Sequence, residues 1–487
     1  MSPIINNMVK QFIGRKKEIK RLEKLKSSHK SEFVAVYGRR RVGKTLLIRH
    51  VFNNDFSFYT TATVNVKMQQ QLFTFHAALM KAQNKSAEGG EAPKNWFIAF
   101  QRLITYLESL DTPKKVIFFD ELPWFDTPKS SFLQALDHFW NSWASARADI
   151  ILVVCGSAAS WMISKLINHK GGLHNRVTAK IQLEPFNLKE AEEMLRLKNQ
   201  AITRYQVIQL YMVMGGVPFY LEAVEGGKSP MQNIEEICFA KDGLLRTEFD
   251  NLFRALFSNA ERHTAIVKAI ATKSKGLTRN EIIKITKLSV GSSTTRALNE
   301  LEHSGFIRKY RPFSKKKRDS LYQLIDAYTL FYLRFIQGSD AYDKNNWINA
   351  MDAPSYRTWS GYAFEQVCLY HVSEIKKALG VNGVITNTFA WKSKDNKGKK
   401  SKAAQIDLVI DRRDGVINLC EIKFSISPYT ITKNYAEQLQ NKISVFKIET
   451  ATKKAVHLTM ITTYGTKENN WAMQLIQNNL DMDIFFE

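Results

Sequence analysis

Phe33-Val34-Ala35-Val36-Tyr37-Gly38-Arg39-Arg40-Arg41-Val42-Gly43-Lys44-Thr45 is an apolar run feeding a glycine loop that ends in Gly-Lys-Thr. Such a run reads as a buried strand. Gly38 and Gly43 let the following backbone curl so that its N–H groups turn inward, while Lys44 and Thr45 open a helix whose N-terminus favours anions. The expectation is an ATP-binding phosphate loop formed by Gly38, Arg39, Arg40, Arg41, Val42, Gly43, Lys44 and Thr45. Lys44 is expected at the β- and γ-phosphates and Thr45 on a Mg²⁺ ion. This spacing arises by chance on the order of once or twice per hundred chains of this length. The preceding strand further weakens the alternative, a basic surface turn.

A second element completes the first. Lys115-Val116-Ile117-Phe118-Phe119-Asp120-Glu121 is a short apolar run ending in two acids, the form of a central parallel strand that delivers carboxylates to the C-terminal edge of a sheet. Alone, the pair reads as a helix N-cap with a first-turn acid. Downstream of a phosphate loop, Asp120 is expected to hold Mg²⁺ and Glu121 to polarise the water that attacks the γ-phosphate.

With these motifs in place the chain resembles the archaeal-type ATPases of the AAA+/STAND group. The resemblance is carried by Phe12-Ile13-Gly14-Arg15 with Glu18 and Leu22, the Gly38 to Thr45 loop and Asp120-Glu121. It continues through Gly156-Ser157 after an apolar strand, Arg176 before Leu183-Glu184-Pro185-Phe186, and Gly215-Gly216-Val217-Pro218. It implies that Ser157 is a polar sensor and that Pro218, in a helical lid, lies against adenine. It also implies that Arg176 reaches a γ-phosphate in cis or from a neighbouring subunit, which allows a homo-oligomer; otherwise Arg176 is an ordinary surface arginine.

The 487 residues suffice for several cores, and 44% apolar content is that of a globular protein. A net charge of +24 favours a polyanionic partner, with nucleic acid, DNA first, ahead of an anionic membrane surface. No run has the apolar length of a spanning helix and the N-terminus lacks a signal-peptide hydrophobic region, so a cytoplasmic protein is expected. Cys155, Cys238, Cys368 and Cys420 are widely spaced in apolar contexts and read as core residues rather than a disulfide or zinc framework.

The fold class expected is α/β: a P-loop parallel sheet with a helical lid, a winged helix and a C-terminal α/β restriction-endonuclease-like domain. The boundaries follow pattern changes. Residues 1–187 alternate strands and helices as an ATPase core, and 188–260 turn helical as a lid. Residues 261–338 form the winged helix and linker, and 339–487 the nuclease-like domain. In the third segment Thr278 and Glu281 have capping-box spacing. Gly291 precedes a helix with Ala297, Leu298 and Leu301 on its apolar face, which leaves Ser292, Ser293, Thr294, Thr295 and Arg296 exposed. A wing would carry the basic run 315–318. DNA contact and a plain interdomain spacer are both open readings of this module.

Gln405-Ile406-Asp407-Leu408-Val409-Ile410 and Ile417-Asn418-Leu419-Cys420-Glu421-Ile422-Lys423 read as two strands around the turn Arg412-Arg413-Asp414-Gly415. Asp407 then lies beside Glu421 and Lys423, which share one strand face. Asp407 and Glu421 are expected to share a divalent metal while Lys423 orients or deprotonates a water for attack on a phosphodiester, with Glu365 as a further carboxylate. This resembles the PD-(D/E)xK nucleases, with Ile406 where many members carry proline. The resemblance implies catalytic positions at Glu365, Asp407, Glu421 and Lys423. The basic loop 391–402 is expected to track a phosphate backbone or to be a solvated hairpin tip. Two functions stand: an ATP-dependent nuclease, or a nucleotide-gated binding switch with an inactive nuclease-like domain. They differ in whether Asp407, Glu421 and Lys423 converge on metal.

Overall fold

The computed structural model describes residues 12–86, 90–168, 175–313, 319–339, 346–350, 353–393 and 403–487. The expected basic stretches 314–318 and 394–402 lie outside them. The chain divides into two compact units, residues 1–185 and 186–487.

The first unit is built on a five-stranded sheet of β1 (Glu32–Tyr37), β2 (Phe58–Thr61), β3 (Lys115–Asp120), β4 (Ile150–Gly156) and β5 (Ala179–Gln182), in the order β2-β3-β4-β1-β5. Every pairing is parallel. Parallel strands joined by helices are buried on both faces, which is why β1, β3 and β4 read as unbroken apolar runs rather than alternating ones. Phe33 and Ala35 of β1, with Leu152 and Val154 of β4, enter one core, while Val34, Val36, Ile151 and Val153 enter the other. An aromatic group of Phe75, Trp96, Phe100, Phe119, Phe125 and Phe132 fills the first core. Truncating Phe119 there would cost about 3–5 kcal/mol.

The second unit begins with helices and no strand among its described residues before β6: Leu188–Arg196, Arg204–Met214, Pro218–Leu221, Pro230–Ile234 and Glu248–Leu256. Asn187 with Glu190, and Thr203 with Gln206, form capping boxes that start the first two. His371 fixes the first helix from 183 residues away: its Nε2 accepts from Leu188 N–H at 3.0 Å and its Nδ1 donates to Val367 O at 2.8 Å. That pair of partners requires the neutral ring, and burial holds the pKa below the ordinary 6.5.

A small module follows: helix Ala260–Ala271, β6 (Leu277–Thr278), helices Arg279–Thr286 and Ser292–His303, β7 (Ile307–Tyr310) and β8 (Leu321–Leu324). Its sheet runs β6-β8-β7 with antiparallel pairings. Thr278 and Glu281 make the capping box their spacing called for. Thr294, expected to be exposed, is fully buried and donates to Ser289 O at 2.8 Å. It completes the 294, 297, 298, 301 stripe that faces the module's core.

The last portion holds helix Pro354–Tyr370, then β9 (Thr386–Lys392), β10 (Gln405–Arg412), β11 (Val416–Lys423), helix Lys433–Thr450, β12 (Ala455–Thr462) and β13 (Asn478–Leu480). The order is β13-β12-β11-β10-β9. β9, β10 and β11 are antiparallel, whereas β12 returns parallel to β11 through the long helix. All four cysteines are buried and free, as their contexts implied.

Candidate functional site

The loop after β1 reverses direction in a way side chains oppose. Gly38 has φ +147° and a Cβ there would stand 2.2 Å from Leu183 O, while Gly43 at φ +90° caps the helix Lys44–Val51. Lys44 is buried and donates to Gly38 O at 3.2 Å and Arg39 O at 2.9 Å. Desolvation lowers its pKa, opposed by Glu121, Cys155 and Asp120, so an ammonium held here gains from any anion that enters. Arg15 donates to Val42 O at 3.2 Å, tying the Phe12 to Arg15 motif to the loop.

β4 lies between β1 and β3, and its end reaches both acids. Thr45 Oγ1 donates to Asp120 at 2.9 Å, and Cys155 Sγ contacts the same carboxylate. Glu121, at φ 51°, accepts from Ser157 N–H at 3.1 Å and Ser157 Oγ at 2.8 Å through one oxygen. A left-handed backbone at a non-glycine residue is uncommon and marks a position held by its surroundings. Thr45 and Asp120 offer Mg²⁺ the oxygen ligands it prefers, and buried Lys44 beside them suits a polyphosphate; the residues therefore fit MgATP. Arg176 is exposed on a turn before β5, and among the described residues no hydrogen bond or ion pair joins it to this group. Pro218 opens the helix Pro218–Leu221 in the second unit.

A second charged cluster sits on β10, β11 and helix Pro354–Tyr370. Asp407 accepts from Ile422 N–H at 3.3 Å, which sets it next to Glu421 across the hairpin. Glu421 is almost fully buried, and Lys442 Nζ reaches both of its oxygens at 2.7 Å. Burial, then the Asp407 charge, raise the Glu421 pKa, and Lys442 and Lys423 lower it. Glu365 ion-pairs with Lys275, which also lies 3.5 Å from Asp407. Burial and Asp407 likewise raise the Glu365 pKa. Lys423 stands 5.3 Å over the Tyr435 ring, whose hydroxyl is 3.4 Å from Glu421. Asp407 and Glu421, expected to share a divalent metal, have lysine partners that the sequence did not signal: Lys442 on Glu421 and Lys275 on Glu365 and Asp407. Among the described residues no group of three or more His, Cys, Asp or Glu side chains is arranged to hold a metal.

Residues 12–224 match the family of ATPase domains found predominantly in Archaea. The chain carries an archaeal-type ATPase domain. Uncharacterized protein MJECL04 of Methanocaldococcus jannaschii is 26% identical over 378 residues, 75% of this chain and 78% of its own length. The uncharacterized ATP-binding protein MJ0423 of the same organism is 44% identical over 43 residues, 9% of this chain and 73% of that protein. The Walker-type ATPase PABY2304 of Pyrococcus abyssi shares the fold at a TM-score of 0.50 and 16% identity, covering 66% of this chain and 96% of that one.

In the ATPase domain Cys155, read from the sequence only as a core residue, lies near the end of β4 and its thiol contacts Asp120. Lys275 and Lys442 had no local signal. No helix among the described residues is long and apolar enough to cross a membrane.

Proposed function

We propose that the protein is a Mg²⁺-dependent ATP hydrolase of the cytoplasm that acts on nucleic acid, DNA in preference, and couples its nucleotide state to a metal-dependent nuclease site in residues 339–487. The observation that carries the ATPase reading is the paired engagement of the two acids after β3, Asp120 by Thr45 and Glu121 by Ser157. Thr45 and Asp120 would hold Mg²⁺, which when bound would neutralise charge on the β- and γ-phosphates. Lys44 exchanges its loop carbonyls for phosphate oxygens. Glu121, held through one oxygen by Ser157, keeps the other for the attacking water. Arg176 would reach the γ-phosphate of its own or a neighbouring subunit, the latter in a homo-oligomer.

The net charge of +24 supports a polyanionic partner, and the β6-β8-β7 module has the element order of a winged helix. The order helix, antiparallel β9-β10-β11, helix and parallel β12 supports the nuclease reading, in which Glu365, Asp407, Glu421 and Lys423 would be the catalytic positions. A second reading, a nucleotide-gated switch whose nuclease-like domain only binds, is favoured by the lysine partners of all three carboxylates.

Plasmid and oligonucleotide cleavage with Mg²⁺ or Mn²⁺, with and without ATP, separates the two. Cleavage lost in Asp407→Ala and Lys423→Ala supports the nuclease. Absence of cleavage under every condition, with DNA binding retained, leaves the switch.

A further inference from the structure

Residues 1–50 hold a disproportionate share of the positive charge: 14 of the 70 basic residues and only three of the 46 acids. Six of these cations are in helix Lys16–Lys26. The helix packs on the core of Val34, Val36, Ile151 and Val153, where Leu22 is fully buried and Ile19 and Leu25 join it. Opposite Leu22, the helical repeat gathers Lys16, Lys17, Lys20, Arg21 and Lys24 into an arc of about 140°. All five are exposed. Glu18 and Glu23, the acids of the helix, fall outside the arc.

The face is held outward by ties at both ends. Arg15, the residue that caps the helix, donates to Val42 O of the phosphate loop at 3.2 Å, and Lys26 Nζ donates to Val51 O at 3.4 Å. Arg21 Nη1 donates to Lys180 O at 2.9 Å, which sets the helix beside β5, the edge strand of the sheet, where Lys180 is itself exposed. A sixth cation therefore borders the arc. Among the described residues, none of Lys16, Lys17, Lys20, Lys24 and Lys180 forms an ion pair.

Like charges three and four residues apart weaken a helix, and no acid is threaded through this row to offset them, as it is on an ordinary solvated face. An ordered array of negative charge laid along the row relieves that repulsion. Lys16, Lys20 and Lys24 follow one another at about 6 Å along the axis, so the row can track the phosphates of one nucleic-acid strand. A bilayer surface fits less well. The apolar side chains of the helix are committed to the protein core, and the arc offers none to enter the lipid.

We propose that this face of helix Lys16–Lys26, with Lys180, is a binding surface for the phosphate backbone of a DNA duplex. The inference rests on the reading of nucleic acid as the partner, and it puts a contact on the ATPase domain in addition to residues 261–338 and 339–487. Lysine contacts to phosphate carry no base information, so the surface holds DNA without selecting a sequence.

The test titrates the full-length protein with short DNA duplexes of two unrelated sequences over a range of salt concentrations, alongside phosphatidylserine vesicles. The triple variant Lys17→Gln, Lys20→Gln, Lys24→Gln is expected to lower the slope of log affinity against log salt by up to about three times 0.9, equally for both sequences. Changing the same three residues to Arg should leave the slope near that of the parent. ATP turnover without DNA reports that the domain is folded and should not change in either variant. Should the Gln variant lose that turnover, Lys20→Gln alone reads the same surface through a slope change of about 0.9. A parent-like slope in the Gln variants overturns the inference and leaves the nucleic-acid reading to other surfaces, and a loss confined to one sequence overturns it as well. Absence of DNA binding by the parent overturns both. Vesicle binding that falls in the Gln variant while DNA binding does not assigns the face to a membrane instead.

Discussion

Glu121→Gln removes one charge from the ATPase site with little change of shape, and the geometry sets what should follow. Gln keeps an oxygen that can accept the Ser157 N–H and hydroxyl now 3.1 and 2.8 Å from Glu121, so the loop at φ 51° should keep its form. What is lost is the anionic acceptor for the water proton, a contribution of roughly 10²–10⁴ in rate. ATP binding should persist within about threefold, because removing a negative charge near the polyphosphate does not weaken its attraction to Lys44. Ser157→Ala tests the geometry itself. One hydrogen bond to a charged acceptor is worth about 1.5–3 kcal/mol. If that is felt in the transition state, kcat falls roughly 10- to 150-fold, while the Glu121→Gln/Ser157→Ala pair is no slower than Glu121→Gln alone, since both act through one carboxylate. Steady-state phosphate release with fluorescent-nucleotide titration measures each term. A kcat for Ser157→Ala within about threefold of the parent, or additive losses in the pair, would refute the assignment of Glu121 as the group that Ser157 positions.

Lys44→Ala should weaken ATP binding by more than about 100-fold, since it deletes the buried ammonium aimed into the loop; unchanged nucleotide titration would remove Lys44 from the site. Replacing the four basic residues at 315–318 with Gln should lower the slope of log DNA affinity against log salt by up to about four times 0.9, and an unaltered slope assigns the charge elsewhere. The second unit should lose stability on acidification: His371 is bound as the neutral ring and its pKa is depressed. Its contribution is present above the unfolded value near 6.5 and is lost as pH falls through and below it. Melting curves from pH 8 to 5 should show a shallower decline in His371→Gln, and parallel declines would exclude the histidine as the cause.

Most of the candidate nucleotide site was legible because its determinants are local. A strand of continuous apolar residues, two glycines at forced backbone angles and a Lys-Thr pair all fall within Phe33 to Thr45, and Asp120-Glu121 ends another such run. The capping box at Thr278 and Glu281 was legible for the same reason. Thr294 was misjudged although its three- and four-residue spacing to Ala297, Leu298 and Leu301 was in view, because a hydroxyl reads as polar until Ser289 O is found to receive it. Lys275 and Lys442 were out of reach. Lys275 lies 90 residues from Glu365 and Lys442 21 residues from Glu421, and which lysine in a chain with 70 basic residues meets which acid is decided by tertiary packing alone. The Leu188 partner of His371 was hidden by the same distance.

The end of β4 has a consequence for how this site can change. Cys155 touches the acid that would bear the metal and Ser157 holds the acid that would steer the water. Between them Gly156 lets Pro123 lie against the strand, where a Cβ would stand 2.7 Å from its ring. Three consecutive residues therefore fit as one replaceable cartridge: exchanged together with Pro123 they can drift, whereas single replacements uncouple one acid from the other. Families of such sites should accordingly vary at 155, 156, 157 and 123 in concert, and libraries that randomise these positions jointly should recover active variants that no single-site scan contains.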